Sequence, residues 1–297
     1  MKHSSINVVG CGRLGQALAK LLFDAALVGE VRILNRSLES GQRAAKAIGA
    51  GKAYSSLQEM PTSDLWLIGS GDQQIEEIAD RLAESCVISS GSVVFHGSGV
   101  VTSAALARLR AMGCSVASIH PIRSFANIEM ATRDFPGTFC GVEGDERGVE
   151  TVRDLFSRIG GEVFSIPTEA KMVCHAGHVF ASNYLVALLK VARDLYTAAG
   201  IPEPLAWRLM EPLVRGAVDN VMRLGPTDAL TGPIARGEGD VVARQLAKVA
   251  EVSPPLAELY ARLGIEALDI ARSQGLSAEL SETVRDALTP NLGRGSR

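Results

Sequence analysis

The sequence predicts an α/β domain built on a parallel sheet, followed by an all-α domain, and three observations lead to this fold class. A glycine-rich turn joins an apolar run to a helical pattern near the N-terminus. Short apolar runs then alternate with helical patterns as far as residue 166, which is typical of a mostly parallel sheet with helices on both faces. From residue 169 onward, helical patterns separated by Gly and Pro replace the strands. We therefore place an α/β domain at 1–166 and a helical domain at 167–297.

The first βαβ unit carries the strongest functional signal. The apolar run Ile6–Val9 leads into Gly10-Cys11-Gly12-Arg13-Leu14-Gly15, a helical pattern follows, and the run Val31–Leu34 completes the unit. The first glycine allows a tight turn, the second lets the backbone approach a pyrophosphate, and the third lets the helix pack against the strand. N–H groups of the first helical turn then face the phosphates. The spacing predicts a dinucleotide site; the alternative is a turn that is glycine-rich for structural reasons alone.

The end of the second strand distinguishes between the nicotinamide cofactors. NAD-binding units usually place an acidic residue there to accept from the ribose 2′-hydroxyl, whereas this chain has Asn35-Arg36-Ser37. Because Arg pairs with phosphate through a planar fork, these residues suit a 2′-phosphate, and we expect NADP(H). The alternative is a solvated Arg36 and a Ser37 that serves only as a helix N-cap. The expected cofactor contacts are Gly10, Gly12, Arg13, Leu14, Gly15, Asn35, Arg36, Ser37, Gly69 and Ser70.

The remaining elements follow from the same alternation of apolar runs and amphipathic patterns. Further strands are predicted at 65–68, 92–95, 115–119, 138–142 and 162–166, with helices at 40–48, 75–85, 102–112 and 149–159. In the second domain, a long apolar helix at 169–199 precedes helices at 203–223, 239–251, 254–273 and 277–288. The first of these helices has apolar residues on nearly every face, so we expect a second subunit to cover it.

Composition argues against several classes of protein. The 297 residues are 46% hydrophobic and 21% charged, which suits two packed domains. The net charge of −3, with scattered Arg and no basic run, argues against a nucleic-acid partner. Five cysteines without a CxxC pair indicate reduced thiols and a cytoplasmic location. We expect no signal peptide and no uninterrupted apolar stretch that reaches membrane-spanning length.

The candidate catalytic residues lie on the first helix of the second domain. Lys171, His175, His178 and Ser182 are separated by four, three and four residues, which places them on one helical face, with Asn183 at its flank. A Lys or His there can donate a proton to a carbonyl or imine as hydride arrives, and a Ser or Asn can orient the substrate. The alternative is that His178 packs in the core and Lys171 is solvated.

Candidate substrate contacts come from the ends of predicted strands, because ligands of open α/β sheets bind outside the carboxyl ends of the strands. We expect Ser98, His120 and Ser124 to contact substrate. Cys174 is expected to serve in packing. A metal site is the less favoured alternative, since one C-H-x-x-H cluster without a second pair is not a recognised zinc spacing.

Six further motifs run through the chain: HGSG at 96–99, SIHPIRSF at 118–125, GTFCGVEG at 137–144, KMVCHA at 171–176, ASNYLVALL at 181–189 and ALTGPIARG at 229–237. Together with the glycine-rich turn, they resemble the predicted oxidoreductases that join a Rossmann-like domain to the domain of unknown function 2520. The resemblance covers about residues 6–273. More distantly, the chain resembles pyrroline-5-carboxylate reductase, ketopantoate reductase, prephenate dehydrogenase and the deazaflavin-dependent NADP reductases.

The resemblance implies a Rossmann-type domain, an all-α domain like the C-terminal domain of 6-phosphogluconate dehydrogenase, NADP(H), and a homodimer built on the helical domain. In hydroxyacid-dehydrogenase relatives, a catalytic Lys is followed four residues later by Asn. Here His175 follows Lys171 at that spacing, and the Asn comes later as Asn183. We expect an NADP(H)-dependent oxidoreductase that reduces a small 2-oxoacid, ketopantoate-like, or an imine. The alternative is a non-catalytic NADP(H)-binding sensor or scaffold.

Overall fold

A computed structural model describes residues 3–123, 125 and 127–289 of the chain. The chain divides into two compact units, Met1–Ala181 and Ser182–Arg297. The sequence-based boundary at residue 166 follows the last strand, which ends at Ser165, whereas the division between the compact units falls after Ala181. Lys171, His175 and His178 therefore belong to the first unit.

An eight-stranded sheet forms the centre of the first unit. Its strands are β1 Ile6–Val9, β2 Val31–Leu34, β3 Lys52–Tyr54, β4 Leu65–Ile68, β5 Val93–His96, β6 Ser115–Pro121, β7 Phe139–Gly144 and β8 Glu162–Ser165. Their order is β3-β2-β1-β4-β5-β6-β7-β8, and every neighbouring pair is parallel except β6 with β7. The predicted fold class, a mostly parallel α/β domain followed by a helical domain, is confirmed.

Helices cover both faces of this sheet. They are α1 Arg13–Asp24, α2 Leu38–Ile48, α3 Ile75–Glu84, α4 Ala107–Ala111, α5 Ile128–Arg133, α6 Glu146–Arg158 and α7 Lys171–Val179. Along β1, Val8 belongs to one buried apolar cluster and Val9 to another, because alternate side chains of a strand point to opposite faces. Strands covered on both faces read as continuous apolar runs, which is why these runs were recognisable in the sequence.

Four details of the first unit differ from the sequence-based expectation. The short edge strand β3 and the six-residue helix α5 were not predicted, because neither is long enough to show a clear periodicity. The expected helix at 102–112 consists of a 3₁₀ turn, Ser103–Leu106, followed by α4. Strand β6 continues to Pro121, so His120 lies within the strand and not after it.

The second unit is helical, with α8 Leu185–Ala198, α9 Glu203–Ala229, α10 Gly239–Val252, α11 Pro254–Ser273 and α12 Ala278–Leu288. Val242, Leu268, Val284 and Leu288 form a buried cluster between α10, α11 and α12. Helix α9 runs past its predicted end at residue 223, but its backbone breaks at Gly225, where φ is 80°. Pro226 follows directly, and a residue before proline is disfavoured in helical conformation.

The long apolar helix predicted at 169–199 is interrupted. A 3₁₀ turn at Thr168–Ala170 leads into α7, and a π-helical turn, Phe180–Tyr184, joins α7 to α8. By length and composition, the run Thr168–Ala198 could cross a membrane, with a mean hydropathy of 1.3 over its most apolar window. The expectation concerned an uninterrupted apolar stretch, and His175, His178 and Asn183 interrupt this run.

Candidate functional site

The glycine-rich turn has a backbone that only glycine can adopt easily. Gly10 has a φ of +76°, and a Cβ on it would lie 2.7 Å from Cβ of Ser70. The N–H of Gly10 donates to the carbonyl of Leu34 at 2.8 Å, and the N–H of Gly12 donates to the carbonyl of Gly10 at 2.8 Å. These contacts hold the turn close to the carboxyl ends of β2 and β4, at the start of α1.

Two neighbouring cavities of about 610 and 350 Å³ lie at these strand ends. Gly10, Asn35, Arg36 and Ser70 line both of them. Oδ1 of Asn35 accepts a hydrogen bond of 2.6 Å from the N–H of Cys11, so the amide oxygen fixes the turn. Arg36 is exposed and borders both cavities, which leaves its guanidinium accessible to a ligand.

The other expected cofactor residues have distinct positions. Gly12 and Gly69 line the smaller cavity. Gly15 is buried, and a Cβ on it would lie 3.5 Å from Val8. Arg13 is exposed, while the side chain of Leu14 occupies the space beside Gly97. Ser37 caps α2, since its Oγ accepts from the N–H of Ser40 at 3.2 Å.

The cavity fits a dinucleotide on two observations of this chain. A Cβ on Gly12 would meet only the carbonyl of Gly69, at 3.5 Å, and no side chain caps the first turn of α1. Oγ of Ser70 is buried beside this turn and has no hydrogen-bond partner among the described residues. Free helical N–H groups and an unpaired hydroxyl are suited to phosphate oxygens.

Lys171 is buried and does not lie in solvent. Its ammonium donates to Oγ of Ser118 and lies 3.6 Å from Oε1 of Glu143, and the side chains of Lys171 and Glu143 are 4% and 3% exposed. Glu143 also accepts from the N–H and Oγ–H of Ser103, at 2.8 and 2.7 Å, and from Oγ1 of Thr168 at 3.2 Å. Burial lowers the pKa of Lys171, and the Glu143 carboxylate opposes this shift.

Ser118 connects Lys171 to a second buried base, His96. Nε2 of His96 donates to the carbonyl of Thr102 at 3.3 Å, so Nδ1 is the acceptor for the N–H of Ser98 at 3.3 Å. Oγ of Ser118 lies 3.4 Å from the same Nδ1. Burial lowers the pKa of His96 to about 3, with the Lys171 charge adding to the shift. His96 is therefore neutral, and Lys171 carries the positive charge of this network.

Three histidines form an imidazole cluster, His120 on β6 with His175 and His178 on α7. The ring centres are 5.8, 5.8 and 6.2 Å apart. Nδ1 of His120 donates to the carbonyl of Gly97 at 3.2 Å, and Sγ of Cys174 lies 3.7 Å from Nε2 of His178. Burial lowers the pKa of His120 and of His178, and the neighbouring imidazoles add to both shifts.

A small cavity of about 10 Å³ lies beside this cluster. Its lining includes the three histidines and Lys171, together with Cys174, Gly99, Ile122, Gly141, Phe164 and Ile166. A Cβ on Gly99 would lie 2.9 Å from Nε2 of His120, so glycine leaves room for the imidazole. No acidic residue is among these lining residues, and no group of His, Cys, Asp and Glu with metal-binding geometry occurs in the described part of the chain.

Ser98 is not among the residues that line this cavity. Oγ of Ser98 accepts from the N–H groups of Val100 and Val101, at 3.1 and 2.9 Å, and so caps its own loop. Ser182 and Asn183 are exposed in the π-helical turn and belong to the second unit. Ser124 lies outside the described residues.

Ser118 and Glu143 were missed in the sequence. They are direct partners in the antiparallel pairing of β6 with β7, so their side chains lie on the same face of the sheet. The available signal was a polar residue within an otherwise apolar strand, Ser118 in SVASIHP and Glu143 in FCGVEG. A buried carboxylate requires a charged partner, and Lys171 supplies it.

Two family models match the chain. Residues 2–121 match the Rossmann-like domain, and residues 138–267 match the domain of unknown function 2520. The chain thus carries both domains in the order that the resemblance predicted. No curated protein matches the chain.

Several solved structures share this fold over nearly their whole length. Protein TM1727 of Thermotoga maritima is 28% identical, with a TM-score of 0.72, and the match covers 91% of this chain and 100% of that one. Protein BF3122 of Bacteroides fragilis, a candidate NADP oxidoreductase, is 20% identical, with a TM-score of 0.71 and coverage of 90% and 98%. A pyrroline-5-carboxylate reductase of Coxiella burnetii is 16% identical, with a TM-score of 0.54 and coverage of 92% and 99%.

Proposed function

We propose that this chain, a Rossmann-like domain joined to the domain of unknown function 2520, is an NADP(H)-dependent oxidoreductase. Its substrate would be a small carbonyl compound, such as a ketopantoate-like 2-oxoacid, or an imine. The observation that carries the proposal is the buried amine of Lys171, which Ser118 and Glu143 fix beside a cavity lined by residues of β6, β7, β8 and α7. The fold shared with an NADP oxidoreductase and a pyrroline-5-carboxylate reductase supports it.

The nicotinamide cofactor would supply the hydride. In this proposal, the glycine-rich turn and the first N–H groups of α1 bind its pyrophosphate, since a helix N-terminus favours anions. Ser70 lies where its unpaired hydroxyl can donate to the same ligand. Arg36 binds the 2′-phosphate, because its guanidinium is exposed at the edge of both cavities.

Of the two candidate proton donors, Lys171 and His175, the proposal takes Lys171, because Ser118 and Glu143 hold its amine. As hydride reaches the substrate carbon, a proton passes from Nζ of Lys171 to the carbonyl oxygen or imine nitrogen, giving an alcohol or an amine. Glu143 keeps the buried amine protonated until transfer, and Ser118 holds its position. A lowered pKa favours the transfer, because a general acid works best when its pKa lies near the working pH.

The second unit would supply the contact between two copies of the chain. Helix α8 has no buried residue, although its composition is strongly apolar. Val186 on α8 and Leu213 on α9 are 69% and 66% exposed. Apolar surface of this extent marks an interaction site, and we propose a homodimer through the helical domain. The cytoplasmic location and the absence of nucleic-acid and membrane partners belong to the same proposal.

The rival function is a non-catalytic module that binds NADP(H) as a sensor or scaffold. Both functions predict nucleotide affinity, so affinity does not separate them. An assay that follows the decrease in NADPH absorbance with a panel of 2-oxoacids and cyclic imines does separate them. The reductase predicts turnover with at least one panel member that is lost in Lys171→Ala, whereas the module predicts none.

A further inference from the structure

The cavity beside the imidazole cluster is lined by bases from two directions. His120 reaches it from β6, while Lys171, His175 and His178 reach it from α7. The nearest acid of the buried network is Glu143, which is already engaged with Lys171, Ser103 and Thr168. The cavity is therefore lined by basic side chains, and none of its lining residues is a carboxylate that could balance their positive charge.

Two ring nitrogens in this cluster lack a partner. Nδ1 of His175 and Nδ1 of His178 are buried, and neither makes a hydrogen bond with any of the residues that the structure describes. A buried ring nitrogen left unpaired costs free energy, so a ligand that accepts from the N–H form of these nitrogens would be favoured. Nδ1 of His120, by contrast, is satisfied by the carbonyl of Gly97.

The charges around the cluster favour an anion over a cation. His175, His178 and Lys171 lower the pKa of His120, and His175 lowers the pKa of His178, although burial is the largest cause of both shifts. A bound anion would remove this mutual repulsion. A divalent metal ion would be repelled by the positive charge of Lys171. The ring centres are also up to 6.2 Å apart, which is too far for one nitrogen of each ring to lie about 2.0–2.1 Å from the same ion.

We propose that the imidazole cluster binds the carboxylate of the substrate, which makes the substrate class a 2-oxo or 2-imino carboxylate. The inference rests on the proposed reductase function and names its substrate class. A cavity of about 10 Å³ has room for about one oxygen atom. One carboxylate oxygen therefore enters between the rings, and the rest of the substrate lies outside them, while Lys171 lines the same cavity.

Carboxylate binding in this cluster is coupled to proton uptake. An anion raises the pKa of an imidazole that it contacts, so affinity increases as the pH falls toward the lowered pKa values of His120 and His178. The groups that face the cluster are Lys171 and Cys174 on α7, with Glu143 behind Lys171 on β7. His96 is held neutral by burial and takes no part.

Histidine-resolved NMR of the full chain, saturated with NADP⁺ and titrated with pyruvate, tests the proposal. We expect the imidazole signals of His120, His175 and His178 to shift together and the signals of His3 and His96 to stay in place. His175→Ala and His178→Ala should each weaken pyruvate binding roughly tenfold or more, the loss of a charge-assisted hydrogen bond. His3→Ala is the matched control, because His3 forms a backbone bridge with Val28 before β1 and does not line the cavity.

The proposal would be overturned if no histidine signal shifts at saturating pyruvate, or if all five histidine signals shift equally. It would also be overturned if chloride at the same concentration shifts the signals as much as pyruvate does. The wild-type titration does not depend on whether the variants fold. If the three signals shift but no 2-oxoacid or imine is reduced, the carboxylate site stands and the reductase function fails. If uncharged carbonyl compounds are reduced as fast as carboxylates, the reductase stands and the carboxylate site fails.

Discussion

Nζ of Lys171 lies 3.6 Å from Oε1 of Glu143, and the two side chains are almost completely buried. Taking two such charges out of water costs several kcal/mol each, so the pair persists only with strong mutual attraction and further hydrogen bonds. Ser103 and Thr168 donate those bonds to Glu143, and Ser118 accepts from Lys171. A buried amine that is held in this way has a fixed position, and burial lowers its pKa toward the working pH, which are the properties a proton donor needs.

Glu143→Ala should destabilise the protein by about 3–5 kcal/mol, because it leaves the Lys171 ammonium buried without a counter-charge. Urea denaturation at neutral pH measures the change. Glu211→Ala is the control, since it removes an exposed partner of Arg215 at 3.0 Å and should have a much smaller effect. Similar losses in the two variants would show that Lys171 and Glu143 do not form a buried pair.

The pH profile of turnover should report the protonation of Lys171. A proton donor is active below its pKa, so kcat should fall as the pH rises through the pKa of Lys171, which burial places below its usual range. The Glu143 charge raises that pKa, so Glu143→Gln should move the alkaline limb to lower pH. A limb that stays at the wild-type position would exclude Lys171 as the titrating group.

Arg36→Ala should weaken NADPH binding much more than NADH binding. Loss of a charge-assisted contact to the 2′-phosphate costs about 1.5–3 kcal/mol, which is at least about tenfold in affinity. Fluorescence titration with both nucleotides gives the ratio. Arg43→Ala is the matched control, because Arg43 lies on α2 and pairs with Glu39 at the surface. Equal losses for NADPH and NADH would reject the expected 2′-phosphate contact.

Light scattering at micromolar concentration should give the mass of a dimer for the wild-type chain. Val186→Glu and Leu213→Glu should shift the mass to that of a monomer, because each places a charge on apolar surface that we assign to the interface. Met130→Glu, a substitution at a similarly exposed apolar residue of the first unit, should leave the dimer intact. A wild-type monomer would refute the dimer.

The sequence predicted the parts of the fold whose side chains repeat regularly. Ile6–Val9 and Leu65–Ile68 were located correctly because strands buried on both faces are apolar throughout. The site was less accessible, since helical spacing placed Lys171 and His175 on one face but could not show which residues oppose them. Glu143 becomes a partner of Lys171 only through the antiparallel pairing of β6 with β7, a long-range contact that no local pattern encodes.

The central claim is that the chain transfers hydride from NADPH while Lys171 donates the proton. The most direct test is a reaction with NADPH deuterated at the transferring position and a panel that includes ketopantoate, other 2-oxoacids and pyrroline-5-carboxylate, followed by mass spectrometry of the products. We predict deuterium on the reduced carbon of at least one product, with a rate about 10²–10⁴-fold lower in Lys171→Ala and unchanged NADPH affinity. Bound NADPH without deuterium transfer to any panel member, or a Lys171→Ala variant that reacts at the wild-type rate, would contradict the claim.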